Sequence, residues 1–189
     1  MPPEPRIGID YVPDGFVPIT AMPWPLWLQV AAFALAFAFM QTAWSFAQGT
    51  VIERVAVDHA TVIPAAWLLN LITPAVRAAA VGTSIRAAGG GINVLNGCEG
   101  FEILFLLAAG LLVAPMTWRR RLPGLFVGTL FVWLLNQARI VVLFYAYRTN
   151  KDMFALLHGT VAPLVMIVFV TIAFVLYLSP VEQSTRTPS

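Results

Sequence analysis

Hydrophobic and polar positions fall along this chain in long blocks separated by short breaks. Residues 1–24 are polar and proline-rich and read as a tail. From Pro25 to Ala47 no charge interrupts the apolar run, which is long enough to cross a bilayer, a distance that takes about 20 helical residues. A cleaved signal peptide is the rival reading, because Ser45-Phe46-Ala47 resembles a small-x-small site. The run is longer than the usual apolar core of such a peptide, about 7–15 residues. The tail before it also mixes Arg6 with Glu4, Asp10 and Asp14. A retained anchor is the better reading.

Residues 48–73 have a different pattern. Glu53, Arg54, Asp58 and His59 exclude a span in the first half, and Val62 to Ile72 is too short to cross alone. This predicts an amphipathic helix lying in the interface, interrupted near Pro64. The glycine-rich stretch that follows has segments around Val81–Arg86 and Gly91–Leu95 on either side of the triplet Gly89-Gly90-Gly91, which predicts a small hairpin beside the membrane. Three more apolar blocks follow: Phe101 to Trp118, interrupted by Glu102; Leu122 to Tyr147, carrying Arg139; and Leu156 to Leu178, with His158 near its start. The whole reads as an all-α polytopic membrane protein. It has about four transmembrane helices, an interfacial amphipathic helix and a small hairpin on the extracytoplasmic side. A single transmembrane domain spans residues 25–178 between tails at 1–24 and 179–189.

Composition strengthens the membrane reading: 59% of residues are hydrophobic, 11% are charged and mean hydropathy is +0.81, where soluble domains carry about 25% charged residues. The net charge of +2 is scattered except for Arg119-Arg120-Arg121, which excludes nucleic acid as a partner. That triplet sits in a tight loop without acids, and the positive-inside rule places it in the cytoplasm. Counting outward, residues 48–98 and 148–155 lie outside and both tails inside. A single cysteine excludes an internal disulfide, and one cysteine with two histidines gives no ligand spacing for a metal. No cofactor motif is present.

This parity brings three reactive groups to one surface. Cys98 precedes the second span, and His158 opens the fourth. Arg139 lies nine residues before Arg148, about 13 Å below the outer end of the third span at 1.5 Å per residue, and its side chain can snorkel upward. Each has a bland alternative. A lone cysteine is often a small packing residue, and a histidine at a helix start is often interfacial. Arg139 is harder to dismiss, because a charge inside a span costs at least about 2.5–3.5 kcal/mol and usually has a partner. Asn136 shares its helix face and can orient it. Glu99 and Glu102 complement a helix N-terminus, although both raise the thiol pKa unless Arg139 or solvent offsets them. Together the groups have the chemistry of cysteine acyl transfer. A thiol beside a cation and a helix N-terminus is expected to have a lowered pKa, histidine moves protons near neutral pH, and arginine holds a carbonyl oxyanion.

At these residues the chain resembles the exosortases and archaeosortases. The likeness is carried by Cys98-Glu99-Gly100, by Asn136-Gln137-Ala138-Arg139 inside a helix, and by His158-Gly159 at the start of a later one. It extends from about Gly91 to Leu178. The stretches "NGCEG", "WRRRLPG", "LNQARIVVLFYAY" and "LLHG" are similar to the small variants labelled H and M. The resemblance implies a membrane-embedded cysteine transpeptidase of the bacterial inner membrane, its active site facing outside. Its substrates would be exported proteins bearing a C-terminal motif, a transmembrane helix and a basic tail, transferred through a thioester. Cys98 would be the nucleophile, Arg139 would stabilise the oxyanion or thiolate, and His158 would act as acid and base. The alternative is a non-catalytic membrane assembly or scaffold protein held together by Arg139. Gly124-x-x-x-Gly128 permits close packing for either. A transporter fits poorly, since no inverted repeat is visible and the polar groups gather at one surface.

Overall fold

A computed structural model describes residues 24–94 and 98–179. Nearly all of both expected tails, and Leu95 of the expected hairpin, lie outside the described residues. The elements are α1 (Leu26–Ala47), α2 (Val51–Ile72), a 3₁₀ turn (Pro74–Val76), β1 (Ala79–Val81), β2 (Ser84–Ala87), β3 (Gly90–Asn93), α3 (Phe101–Val113), α4 (Trp118–Thr149) and α5 (Lys151–Leu178). The all-α polytopic class holds. Among the described residues four helices are long and apolar enough to cross a membrane: α1, α2, α4 and α5.

That set differs from the expected one in two places. Helix α2 is continuous over 22 residues where an interrupted interfacial helix was predicted. Pro64 has no N–H to offer the carbonyl of Ala60 four residues earlier, a defect that usually kinks a helix. Here the indole Nε1 of Trp133 on α4 donates to that carbonyl (2.6 Å), and the preceding turns widen into a π-helix over Arg54–Val62. The charges also cluster at the N-terminal end, leaving Asp58 as the one formal charge from Val55 to Ile72. The predicted span over Phe101–Trp118 ends early, and α3 has 13 residues. Ala114 precedes Pro115, a position that disfavours helix, and its ψ of 143° is extended. Arg121 then reaches back and donates to the carbonyls of Leu111 (3.0 Å) and Ala114 (2.9 Å), so part of the basic loop caps α3.

The predicted loop at 148–155 shrinks to one residue. Asn150 breaks the helix, and its side-chain oxygen accepts from the backbone N–H groups of Asp152 (2.8 Å) and Met153 (3.1 Å) to start α5. The predicted hairpin exists as β2 and β3, paired antiparallel, with β1 added to β2 as a third strand. Asn70 ties this sheet to α2 by bonding both backbone groups of Ala78.

Helices α1, α3, α4 and α5 form a bundle in which chain neighbours run antiparallel. Trp44 near the end of α1 packs against Phe101 at the start of α3, with ring centroids 4.1 Å apart and the planes tilted by 39°. The chain from 48 to 100 therefore leaves and returns at one level. Tyr177 near the end of α5 donates to the carbonyl of Arg120 at the start of α4. Gly124 and Gly128 receive Tyr177 and Leu107, respectively, so close that a Cβ would collide with either, and this small-residue pair serves packing within the chain. Two apolar cores result. One joins α3, α4 and α5 around Leu107, Leu111, Val132 and Met166. The other joins α2 and the sheet to the later part of α4 around Leu69, Ile85, Leu143 and Phe144. The boundary between them lies beside Asn136 and Arg139.

Candidate active site

Cys98 and His158 are 60 residues apart in sequence, yet the thiol Sγ lies 3.0 Å from the imidazole Nδ1. Each is positioned by local backbone. Cys98 stands in the short approach to α3, and Gly100, the residue before the helix, has φ of 82°. Only glycine adopts that region freely. A side chain there would also strike Asn136, whose Cγ lies 2.8 Å from the site of a Cβ. Asn136 Nδ2 donates to the carbonyls of both Cys98 and Glu99 (3.0 Å each). The asparagine thus fixes the loop that bears the thiol, a role different from orienting Arg139. His158 sits in a π-helical stretch, Leu157–Val161, just before Pro163. Phe154, one turn earlier, stacks parallel on its imidazole, with centroids 5.4 Å apart and planes at 8°.

Arg139 is 8% exposed. Its Nη1 points at the thioether of Met166 (3.9 Å), and its Nε is buried without a hydrogen-bond partner among the described residues. Cys98 is 3% exposed. Burial pushes its thiol above the ordinary range, the Arg139 guanidinium opposes this, and the Glu99 carboxylate adds to it. The lowered thiol pKa expected from sequence is not met, because desolvation of a buried thiolate outweighs one nearby cation. With the thiol protonated, His158 Nδ1 is placed to accept its hydrogen. The pair has the geometry of a nucleophile and general base. Among the described residues no group of three His, Cys, Asp or Glu side chains could hold a metal ion.

Glu99 and Glu102 line a cavity together with Arg139; neither replaces Cys98 or His158 in the thiol–imidazole contact. The arrangement therefore brings together Cys98, His158 and Asn136, with Arg139 beside them and the two glutamates on the adjoining wall. The sequence predicts the thiol and the imidazole at one surface; the structure brings them into contact within a bundle of apolar helices. The family profile for transmembrane exosortases (EpsH) matches residues 19–177. The chain belongs to the transmembrane exosortase family. No curated protein and no solved structure matches it.

In this exosortase two contributors escaped the sequence reading. Phe154 lies four residues before His158, a spacing that puts both on one helix face and was the available signal. The other is the end of α1, where Gln41 and Ser45, with Gln48 just beyond the helix, line the same cavity as Glu99 and Glu102. Their helical spacing inside an otherwise apolar run was legible, but only the packing of α1 on α3 gives it a meaning.

Proposed function

We propose that the chain is a membrane-embedded cysteine transpeptidase that cleaves the C-terminal sorting signals of exported proteins. The observation that carries this reading is the 3.0 Å contact between Cys98 Sγ and His158 Nδ1, within a chain of the exosortase family. In the proposed reaction the thiol proton passes to His158 as Sγ attacks the scissile carbonyl and a C–S bond forms. Arg139 stabilises the oxyanion. The tetrahedral intermediate collapses, the C–N bond breaks, and His158 returns the proton to the leaving amine. A thioester on Cys98 remains. An acceptor nucleophile then attacks it, giving its proton to His158 as the thiolate leaves, and the proton returns to sulfur.

Because the thiol is raised by burial, the reaction runs by general-base activation at the moment of attack, without a stored thiolate–imidazolium pair. Asn136 and Gly100 hold the thiol in place, and Phe154 holds the imidazole. The protein acts in the bacterial inner membrane with this site facing outside.

The test compares the C-termini of exported proteins in cells carrying the wild type, Cys98→Ala or His158→Ala, read by mass spectrometry. New C-termini with the wild type that vanish with both variants, at equal membrane levels, are the expected result. Unchanged C-termini with Cys98→Ala would return the chain to the scaffold reading.

A further inference from the structure

Next to the residues that follow Cys98 lies a cavity of about 440 Å³, part polar and part apolar, lined by Glu99, Gly100 and Arg139 among others and within the usual range for a ligand site, about 300–1,000 Å³. Its floor is the start of α3, with Glu102; Arg139 and Pro163 close one side. Gln41 and Ser45 of α1, with Gln48 just past its end, also line it. The spacing of four residues places Gln41 and Ser45 on one helix face, and Gln48 follows as the residue that ends the helix. From Val30 to Met40 the same helix has no polar side chain. Thr42 and Ser45 each donate to a carbonyl of their own helix, Ala38 and Thr42 respectively, so Ser45 Oγ is left as an acceptor and the two glutamines keep both donor and acceptor. A second sign comes from Arg139. Its buried Nε has no partner among the described residues, and a guanidinium in apolar surroundings requires one.

Deeper along the same helices a second cavity opens, apolar and about 220 Å³, lined by Phe33, Leu107, Gly110, Val170 and Phe174. Phe33 precedes Gln41 by eight residues, which is about 12 Å along α1. Since α1 and α5 both pack on α3, the two cavities lie along one crevice, part polar at the start of α3 and apolar below it.

We propose that this crevice is the substrate-binding site, and that the end of α1 recognises the substrate through Gln41, Ser45 and Gln48. Its occupant is an extended polar peptide segment continuing into an apolar helix. Glutamine side chains offer both a donor and an acceptor, matching the N–H and C=O of an extended backbone that would otherwise enter low-dielectric surroundings unpaired. Arg139, which lines the cavity, offers its guanidinium to the carbonyl nearest the thiol. The following helix packs over Phe33 and Gly110. This rests on the transpeptidase reading above and assigns the binding surface that reading lacks.

The test takes as its probe an exported protein trimmed in wild-type cells and left intact in Cys98→Ala cells. In the full-length Cys98→Ala protein in its membrane, a photo-crosslinking residue at position 45 captures the C-terminal segment of the probe. The same residue at position 35, where Leu35 is 71% exposed, does not. In the otherwise wild-type protein, the double substitution Gln41→Leu/Gln48→Leu raises KM about tenfold, as expected for two lost hydrogen bonds, with a smaller change in kcat. The alkylation rate of Cys98 stays at the wild-type value, which distinguishes lost binding from a disturbed fold. An unchanged KM, or cross-links from position 45 to lipid alone while the wild type still trims the probe, overturns this proposal and leaves the transpeptidase standing. If no exported protein is trimmed in a Cys98-dependent manner, the functional reading fails and the proposal fails with it.

Discussion

Gly100 shows how much of the site depends on one missing side chain. Its φ of 82° and the contact with Asn136 hold the backbone that carries Cys98. An alanine there meets both the left-handed penalty, about 1–2 kcal/mol, and a collision with a side chain locked by two hydrogen bonds. Gly100→Ala should therefore lower stability by more than about 1 kcal/mol and reduce processing, read by thermal unfolding in detergent and by substrate trimming. Wild-type values for both would mean that Asn136 moves freely and does not position the loop. The thiol itself makes a second prediction. Since its pKa is raised, alkylation of Cys98 by iodoacetamide should be slow near neutral pH and keep rising past the ordinary thiol range, around 8.5. Removing a cation that lowers the pKa, Arg139→Gln, should move the rise to higher pH, and Glu99→Gln should move it lower. A rate already at its plateau at neutral pH would contradict the account and restore the thiolate expected from sequence.

At the scale of elements, the repair of α2 is the clearest case of tertiary structure overriding a local signal. Pro64 leaves the Ala60 carbonyl without its usual donor, and Trp133 of α4 supplies one. Trp133→Phe should cost about 1 kcal/mol. In a Pro64→Ala background, where a backbone N–H returns, it should cost less, and a double-mutant cycle of unfolding free energies measures the coupling. Strict additivity would show that the indole does not serve that carbonyl. The same residues mark what was legible. The apolar blocks, the hairpin and the order Cys98, Asn136, Arg139, His158 were visible because blocks of hydrophobicity and motif spacing are local properties. The continuity of α2 was not, since its missing donor is answered from 69 positions downstream, at Trp133. The early end of α3 is a local effect of Pro115, which disfavours helix at Ala114. The raised thiol pKa was also out of reach, because it follows from the burial of Cys98 and not from its neighbours in sequence.

For the whole molecule, the contact of Trp44 with Phe101 puts the end of α1 and the start of α3 at one level, so the segment between them begins and ends on one side of the bundle even though α2 is long enough to cross. Impermeant thiol reagents, applied to single cysteines placed in a Cys98→Ala background, should therefore label position 83 from outside and position 120 only from the cytoplasm. Labelling of position 120 from outside would invert the molecule and place the site on the wrong face for exported substrates. The central claim is covalent: the acyl group passes through Cys98. Hydroxylamine added to the wild-type protein with a trimmed exported substrate should release that substrate as a C-terminal hydroxamate, detected by mass. Cys98→Ala should yield none, and Cys98→Ser should yield none or nearly none, since a hydroxyl is a far weaker nucleophile at its free pKa. Hydroxamate formed at the wild-type rate by Cys98→Ala would show that the acyl group never rests on this thiol.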